Sequence, residues 1–232
     1  MRYLGGKVRQ AQRIRSCILE RRTSQLYYLE PFLGGGSTFA CIASDFAAAV
    51  AADTDESLIM LWEAVVNDGW VPPASLSKSE YELLRVGDPS PLQAWAKYAC
   101  SYNGRPWGGY GPIAGNRNYL EESLRSIQRK ASLIKNAEFK HCSFKDHSPT
   151  KDIIVYCDPP YENSTGYGVD FDHDEFWETM NAWVSGGVMV FVSEFDAPPG
   201  WSVCDSWDRS ATVDAQKTKR RVEKLFVNEA HF

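Results

Sequence analysis

Short apolar runs alternate with amphipathic stretches along this 232-residue chain, which is the pattern of an α/β protein. The apolar runs 26–29, 47–52, 153–157 and 188–192 predict buried strands. Alternation over 222–228 predicts a late strand of antiparallel direction. The sequence therefore predicts an open, mostly parallel sheet with helices between its strands.

Helical patterns fill the spaces between these strands. We predict helices over 8–22, from Ser37 to about residue 44, from Asp55 to about residue 66 and over 118–135. The side-chain oxygens of Ser37 and Asp55 are suited to accept hydrogen bonds from the first free backbone N–H groups of their helices. The helices and strands together favour a single α/β domain.

Residues 67–136 interrupt this alternation. Pro72-Pro73 and Pro89-Ser90-Pro91 punctuate two short helical patterns, and a glycine-rich, turn-forming stretch covers 103–112. We interpret 67–136 as an insertion into an α/β domain that is made of 1–66 and 137–232.

The composition excludes several classes of protein. Hydrophobic residues make up 44% and charged residues 24% of the chain, which argues against a disordered or fibrous protein. No apolar run reaches the roughly 18 residues of a membrane helix, and the first residues lack the core of a signal peptide. We therefore expect a cytoplasmic protein with no membrane partner. The compact size would suit a protein of a bacterial or phage-infected cell, although the sequence does not identify the host.

The cysteines and histidines predict no metal site. The six cysteines show no CxxC or CxxH spacing, and the four histidines are widely separated. We expect the cysteines to be free thiols and buried small hydrophobes, as is usual in the cytoplasm.

The net charge of −5 is unevenly distributed. Lys and Arg outnumber Asp and Glu by seven to one in 1–22, by nine to four in 105–151 and by five to one in 217–224. Residues 152–204 contain ten acids and no Lys or Arg. The basic blocks could be gathered on one face to contact phosphates, or each could be a solvated helix face. Charge alone leaves both readings open.

Carboxylates follow the predicted strands at the edge where open α/β sheets bind ligands. The segment Glu30–Gly36, with glycines at 34, 35 and 36, lies between a strand and a helix, where glycine lets the backbone approach a ligand closely. Asp53 ends the next strand, at a position where carboxylates accept hydrogen bonds from ribose hydroxyls. The pair indicates an adenosine-containing cofactor; an ordinary glycine turn with a surface Asp is the alternative.

The segment Asp158-Pro159-Pro160-Tyr161 follows the most apolar strand. Proline has no N–H, so this backbone offers carbonyl acceptors without competing donors. A carboxylate and a proline carbonyl together suit an exocyclic amine, and Tyr161 offers a flat face on which a base can stack. The alternative is a strand-ending turn with a packed tyrosine.

Three motifs in this order, Tyr3-Leu4-Gly5-Gly6-Lys7, the glycine segment 30–36 and Asp158–Tyr161, resemble those of Dam-type DNA adenine methyltransferases. The resemblance covers almost the whole chain and is weakest over 67–97 and after residue 195. It implies a Rossmann-like S-adenosylmethionine-dependent methyltransferase fold in which 67–136 is a small helical target-recognition insertion.

The resemblance also implies residue roles. Asp158 would bridge cofactor and target adenine, Pro159 and Pro160 would form the acceptor backbone, and Tyr161 would stack on the base. Lys7 would contact the methionine carboxylate of the cofactor or tie its motif to neighbouring acids. The implied cofactor-binding residues are Tyr3, Lys7, Glu30, Phe32, Gly34, Asp53 and Asp158.

The insertion departs from the best-known members of that family. Ser101–Arg105 resembles the start of their recognition hairpin, but the longer hairpin that reads GATC is not recognisable, so the target sequence cannot be transferred. The candidate DNA-binding residues are Asn103, Arg105, Arg117, Lys219 and Arg221, although solvated turn and strand-end residues would look the same. The loop 162–172 could be a lid over the flipped base or a plain surface loop.

The activity that the resemblance implies is site-specific transfer of a methyl group from S-adenosylmethionine to the 6-amino group of a flipped-out adenine. Double-stranded DNA would be the partner, and we expect a monomer without a metal. Three alternatives stay open: a catalytically silent DNA-binding module, methylation of the cytosine 4-amino group, and methylation of RNA.

Overall fold

The computed structural model describes residues 1–161, 171–209 and 221–228. Nine strands occur in these ranges: β1 Tyr27–Glu30, β2 Ala48–Asp53, β3 Ile113–Ala114, β4 Arg117–Asn118, β5 Ala137–His141, β6 Ile153–Cys157, β7 Met189–Glu194, β8 Ser202–Arg209 and β9 Arg221–Asn228.

The described part of the chain also contains seven α-helices: α1 Ala11–Arg21, α2 Ser37–Ile42, α3 Glu56–Val66, α4 Lys78–Arg85, α5 Pro91–Ala94, α6 Tyr119–Ala131 and α7 His173–Ser185. A π-helical turn, Trp95–Ala99, continues α5 directly. Short 3₁₀ turns cover Ala43–Asp45, Tyr102–Gly104 and Phe144–Asp146.

Seven strands form one sheet in the order β5-β2-β1-β6-β7-β9-β8. The first five strands are parallel, and β9 lies antiparallel between β7 and β8. The chain reverses its direction of winding between β1 and β6, so the carboxyl ends of these strands flank the crevice of a doubly wound sheet. This confirms the expected Rossmann-like α/β fold class.

The predicted strands and helices all appear, with ends shifted by a few residues. The two-residue strands β3 and β4 and the helix α7 were not predicted, and neither were two strands of the large sheet, β5 and β8. Both strands lie at the edges of the sheet, where one side of the strand meets solvent and charged residues interrupt the apolar pattern. Helix α7 has Asp174 and Glu175 in its first turn, and the side chain of Asp172 accepts from the backbone N–H of Glu175 as its cap.

Two hydrophobic clusters cover the two faces of the sheet. Strand β7 shows the alternation: Met189 and Phe191 belong to one cluster, while Val190 and Val192 belong to the other. Helices α1, α2 and α3 supply buried side chains to the first cluster, and α7 covers the second. Both faces are buried, so the central strands read as continuous apolar runs.

The segment 67–136 shares the first cluster with the rest of the chain. Tyr81, Trp95 and Ile127 are buried in it, and the indole N–H of Trp95 donates to the carbonyl of Pro73 at 3.0 Å. The division into an α/β domain and a recognition insertion stays a prediction.

All six cysteines are free thiols, as expected. Within the described ranges, no cluster of three or more His, Cys, Asp or Glu has the arrangement of a metal site. No described helix combines the length and apolar character needed to cross a membrane.

Candidate active site

A cleft of about 660 Å³ opens at the carboxyl edge of the sheet. Its walls include the N-terminal segment 3–7, the glycine segment 30–36, the end of β2 and the turn after β6. Residues that the sequence predicts for cofactor and target therefore meet in one place. Tyr3, Lys7, Glu30, Phe32, Gly34, Asp53, Asp158, Pro159 and Pro160 all line this cleft.

Lys7 and Asp158 form a close ion pair across 151 residues of sequence. The Lys7 Nζ lies 2.7 Å from both carboxylate oxygens of Asp158, and the Lys7 side chain is only 5% exposed. Asp158 keeps 20% of its side-chain surface exposed toward the cleft. Lys7 also donates to the backbone carbonyl of Gly5 at 3.2 Å, which fixes the N-terminal turn. Two roles are expected for Lys7: contact with the methionine carboxylate of the cofactor, or contact with neighbouring acids. The structure contains the contact with neighbouring acids.

Tyr161 lies behind this pair, buried rather than in the cleft lining. Its hydroxyl lies 2.7 Å from Oδ1 of Asp158 and 2.9 Å from Oε1 of Glu223. The ring packs edge-to-face on Phe195 with 5.1 Å between centroids, and the Lys7 ammonium lies 4.9 Å from the centre of the Tyr161 ring. Burial, together with the two carboxylates, raises the pKa of Tyr161 well above its usual value. Stacking of Tyr161 on a target base stays a prediction.

Glu223 was not among the predicted site residues. It is 3% exposed and lies 3.4 Å from the Lys7 Nζ, so Lys7 contacts two carboxylates at once. Strand β9 runs antiparallel to β7, which brings its first residues to the same edge of the sheet as Asp158. A sequence signal existed, because Glu223 alternates in phase with the buried Leu225 and Val227.

The glycine segment is packed by protein side chains as well as open to the cleft. A Cβ at Gly34 or Gly35 would lie 2.8 or 2.7 Å from atoms of Tyr3, and one at Gly36 would lie 2.5 Å from the ring of Trp62. Gly34 and Gly36 also adopt positive φ values of +47° and +59°. The close packing of Tyr3 and Trp62 therefore requires glycine at these positions. The sequence predicts glycine here for a different reason, the close approach of the backbone to a ligand.

A buried lysine of α6 forms hydrogen bonds with the glycine segment and with the start of α2. Lys130 donates to the carbonyl of Gly35 and, at 2.8 Å, to the hydroxyl of Ser37 at the start of α2. Its 5% exposure explains why burial lowers its pKa to about 8, with a smaller effect from Arg129. Sequence reasoning missed Lys130, although it shares a helix face with the buried Ser123 and Ile127.

Asp53 lies at the end of β2 and faces the same cleft, and none of the described Lys, Arg or His side chains is in hydrogen-bond contact with it. Its Oδ2 accepts from the backbone N–H of Gly34 at 2.9 Å, and its Oδ1 accepts from that of Asp55 at 3.0 Å. Burial of the carboxylate raises the pKa of Asp53 to about 6, although the two backbone N–H groups act in the opposite direction. Two carboxylate lone pairs remain for further donors.

Glu30 is buried at the end of β1. This strand lies between β2, which ends at Asp53, and β6, which Asp158 follows. The Tyr28 hydroxyl donates to Oε2 of Glu30 at 2.8 Å. Burial raises the pKa of Glu30 well above its usual value, and the negative charge of Asp158 adds to this effect. This carboxyl therefore belongs to the floor of the cleft.

An aromatic wall borders the cleft on the side of α7. The ring of Phe32 lies 5.6 Å from Phe144, 5.9 Å from Phe171 and 5.8 Å from Phe176, measured between centroids. Phe32, Phe144 and Phe171 also line the cleft. These rings provide the apolar surface that a planar heterocycle requires.

The segment 67–136 contributes directly to the opposite wall. Lys97, on the π-helical turn, forms an ion pair with Asp55 at 2.7 Å, and the Tyr98 hydroxyl also donates to Asp55. Tyr98 packs on Tyr3 with 4.8 Å between ring centroids. The hydrogen bonds from Lys97 and Tyr98 lower the pKa of Asp55 in spite of its burial.

Three of the candidate DNA-binding residues, Asn103, Arg105 and Arg117, lie outside the lining of the cleft. Asn103 and Arg105 are exposed on the loop that follows the π-helical turn, and the amide oxygen of Asn103 accepts from Arg2 at 3.2 Å. Arg117 is exposed and forms a two-pronged pair with Glu122 at 2.9 and 2.8 Å. Lys219 and most of the loop 162–172 lie outside the described residues, as does the side chain of Arg221.

Several residues of the first basic block contact the protein's own acids. Arg13 pairs with Asp205, and Arg15 pairs with Asp45. Arg22 donates to the backbone carbonyl of Asp45 at 2.6 Å. At these positions the positive charges of the N-terminal block serve internal contacts.

Residues 3–84 match the family model of the D12 class N6 adenine-specific DNA methyltransferases. The matched part contains the N-terminal motif, the glycine segment and Asp53. This match supports a methyltransferase that uses S-adenosylmethionine. A search of curated protein sequences finds no significant match.

Several solved structures resemble this one at low sequence identity. The 23S rRNA methyltransferase ErmE is 11% identical over 97% of this chain and 70% of its own, with a TM-score of 0.45. The tRNA (m1A58) methyltransferase TrmI from Aquifex aeolicus is 10% identical over 96% and 70%, with a TM-score of 0.42. The ribosomal protein L11 methylase from Lactobacillus delbrueckii subsp. bulgaricus is 9% identical over 97% and 79%, with a TM-score of 0.41.

Proposed function

We propose that this protein transfers a methyl group from S-adenosylmethionine to the 6-amino group of adenine in DNA. The observation that carries the proposal is the placement of Asp158 and its two prolines in the same cleft as Asp53 and the glycine segment. Asp158 and its prolines are suited to hold an amine. Asp53 and the glycine segment are suited to hold an adenosine.

The chemistry of the cleft fits S-adenosylmethionine. Its volume of about 660 Å³ lies within the range typical of sites for small molecules. The free lone pairs of Asp53 suit ribose hydroxyls, and the rings of Phe32 and Phe144 suit an adenine. When bound, the cofactor supplies a methyl group on a positively charged sulfur, which makes that carbon electrophilic.

Asp158 would accept a hydrogen bond from the target amine. Lys7 holds the carboxylate at two points, so Asp158 is fixed before the target arrives and loses little freedom on binding. The backbone carbonyl of Pro159 would accept the second hydrogen. With both hydrogens held, the nitrogen lone pair is directed out of the plane of the base.

The protein does not need a strong base for this reaction. The amine gains positive charge as it forms its new bond, and its proton leaves more easily afterwards. A carboxylate placed at this point stabilises the developing charge, because electrostatic preorganisation is strongest where water is excluded. The roles of Asp158 are therefore orientation and charge stabilisation.

DNA is the acceptor that the family match to residues 3–84 favours. An adenine inside a duplex cannot reach the cleft while it is stacked and paired, so the target base must be flipped out. The exposed Arg105 lies on the segment that also supplies Lys97 to the cleft wall, a placement that suits contact with DNA beside the flipped base. Such an enzyme would act in the cytoplasm.

The test is methyl transfer from labelled S-adenosylmethionine to three acceptors of matched sequence: double-stranded DNA, single-stranded DNA and RNA. Cofactor binding is measured in parallel by calorimetry. Asp158→Ala serves as the inactive reference, and Asp208→Asn serves as the surface control because Asp208 is exposed on β8, outside the cleft lining.

We expect label in DNA adenine with the wild-type protein and the Asp208 variant, and none with the Asp158 variant. Label in RNA alone would replace DNA by RNA as the acceptor. Failure to bind the cofactor at millimolar concentration would overturn the proposal and favour a catalytically silent DNA-binding module.

A further inference from the structure

We propose that Glu223 is a positioning residue for methyl transfer, acting through Lys7 and Tyr161 on Asp158. The proposal rests on the function proposed above. It starts from the observation that a second carboxylate, 3% exposed, lies within 3.4 Å of Lys7 and 2.9 Å of the Tyr161 hydroxyl.

The hydrogen bonds of Asp158 can be counted. A carboxylate has about four acceptor positions, two on each oxygen. Lys7 uses one position on Oδ1 and one on Oδ2, and Tyr161 uses the second on Oδ1. A target amine then finds a single free position, on Oδ2.

Glu223 relieves this competition. The Tyr161 hydroxyl carries one hydrogen, so it donates either to Asp158 or to Glu223 and never to both. When it donates to Glu223, both oxygens of Asp158 keep a position for the incoming amine. Glu223 thus offers Tyr161 another acceptor, and the buried hydroxyl never lacks a partner.

Charge leads to the same conclusion. Lys7 is one cation in contact with two carboxylates, so the ionised group of three carries one net negative charge. Without Glu223, Lys7 would cancel the charge of Asp158. A net negative charge next to the amine is favourable in the transition state, because the amine becomes positive there.

Three variants test the proposal in the full-length protein: Glu223→Gln, Glu223→Asp and, as a matched control, Asp208→Asn on the exposed side of β8. The measurements are kcat, KM for S-adenosylmethionine, KM for DNA and the thermal unfolding midpoint. Glutamine keeps the shape, but it removes the charge and accepts from Tyr161 more weakly than a carboxylate, so a role limited to packing leaves kcat unchanged.

We expect Glu223→Gln to lower kcat about tenfold while both KM values stay within about twofold of wild type. Glu223→Asp keeps the charge one methylene further from Tyr161 and should lower kcat about threefold. The Asp208 variant should match wild type in every measurement.

A wild-type kcat in Glu223→Gln would overturn the proposal. If that variant does not fold, a wild-type kcat in Glu223→Asp would overturn it. A rise in either KM that accounts for the whole loss would also do so, because the residue would then act in binding. An inactive wild-type protein would instead overturn the proposed function, and this inference with it.

Discussion

Asp53 and Asp158 occupy corresponding places on two strands of one sheet, yet their surroundings differ. Asp53 accepts hydrogen bonds from two backbone N–H groups and has no cation in hydrogen-bond contact among the described residues. Asp158 is held on both oxygens by the ammonium group of Lys7. Two aspartates at the same edge of the sheet therefore have different hydrogen-bond donors: backbone N–H groups for Asp53 and an ammonium group for Asp158.

The difference indicates two tasks. Burial raises the pKa of Asp53 to about 6, so the carboxylate gains when hydroxyl donors arrive to stabilise its charge. Asp158 is paired with Lys7 and keeps a free acceptor position for an amine that becomes positive. Asp53 is suited to binding and Asp158 to the reaction, and substitutions at the two should have different effects.

The largest effect is expected for Asp158→Ala. The substitution removes the proposed acceptor of the target amine and leaves the charge of Lys7 without its closest partner, so methyl transfer should fall by at least about 10³-fold. Labelled methyl transfer measures this, with calorimetry to confirm that cofactor binding persists and thermal unfolding to confirm the fold. Wild-type turnover in a folded Asp158→Ala protein would exclude the assigned role.

A smaller effect, on affinity and not on turnover, is expected for Asp53→Ala. Loss of hydrogen bonds to a charged acceptor should weaken S-adenosylmethionine binding about 10- to 100-fold. At saturating cofactor, kcat should stay within a few-fold of wild type. Titration calorimetry and saturation kinetics separate these quantities, and a loss in kcat alone would remove the distinction between the two aspartates.

The pH dependence of cofactor binding sharpens the same comparison. The ionised form of Asp53 accepts more hydrogen bonds than the protonated form, so affinity should be complete above about pH 6 and fall as the pH drops below it. Between pH 7 and pH 5 the loss should reach about tenfold. Asp53→Asn cannot titrate there and is the control; an identical pH profile in that variant would assign the dependence to another group.

The smallest effect is expected outside the cleft, for Arg105→Ala. This exposed residue could contact a base or a phosphate, so its loss should weaken DNA binding about three- to fivefold and relax target choice, without changing cofactor affinity. Fluorescence anisotropy at two salt concentrations measures the affinity, and sequencing of methylated sites measures the choice. An unchanged methylation pattern would show that Arg105 does not read sequence.

Local pattern was enough to predict the central strands and the carboxylates that end them. Strands β1, β2 and β6 are buried on both faces, so their apolar runs are unambiguous, and Glu30, Asp53 and Asp158 follow at the expected edge. Edge strands β5 and β8 gave no such run. Short-range signals therefore predict the centre of this sheet better than its edges.

Partners that are distant in sequence were beyond local reasoning. Lys130 reaches the glycine segment across 95 residues, and Glu223 reaches Tyr161 across 62. Both residues are charged positions on an otherwise buried face of their element. A lysine or glutamate in phase with buried apolar residues is a signal that can be sought, but the sequence does not say which group it meets.

The central claim is that the cleft methylates the 6-amino group of adenine through Asp158. Its most direct test is to incubate wild-type protein and Asp158→Ala with S-adenosylmethionine and unmethylated genomic DNA, and then to map modified bases at single-nucleotide resolution. We predict N6-methyladenine within one short sequence motif for wild type and none for the variant. Modified cytosine, or the same adenine methylation with Asp158→Ala, would contradict the claim.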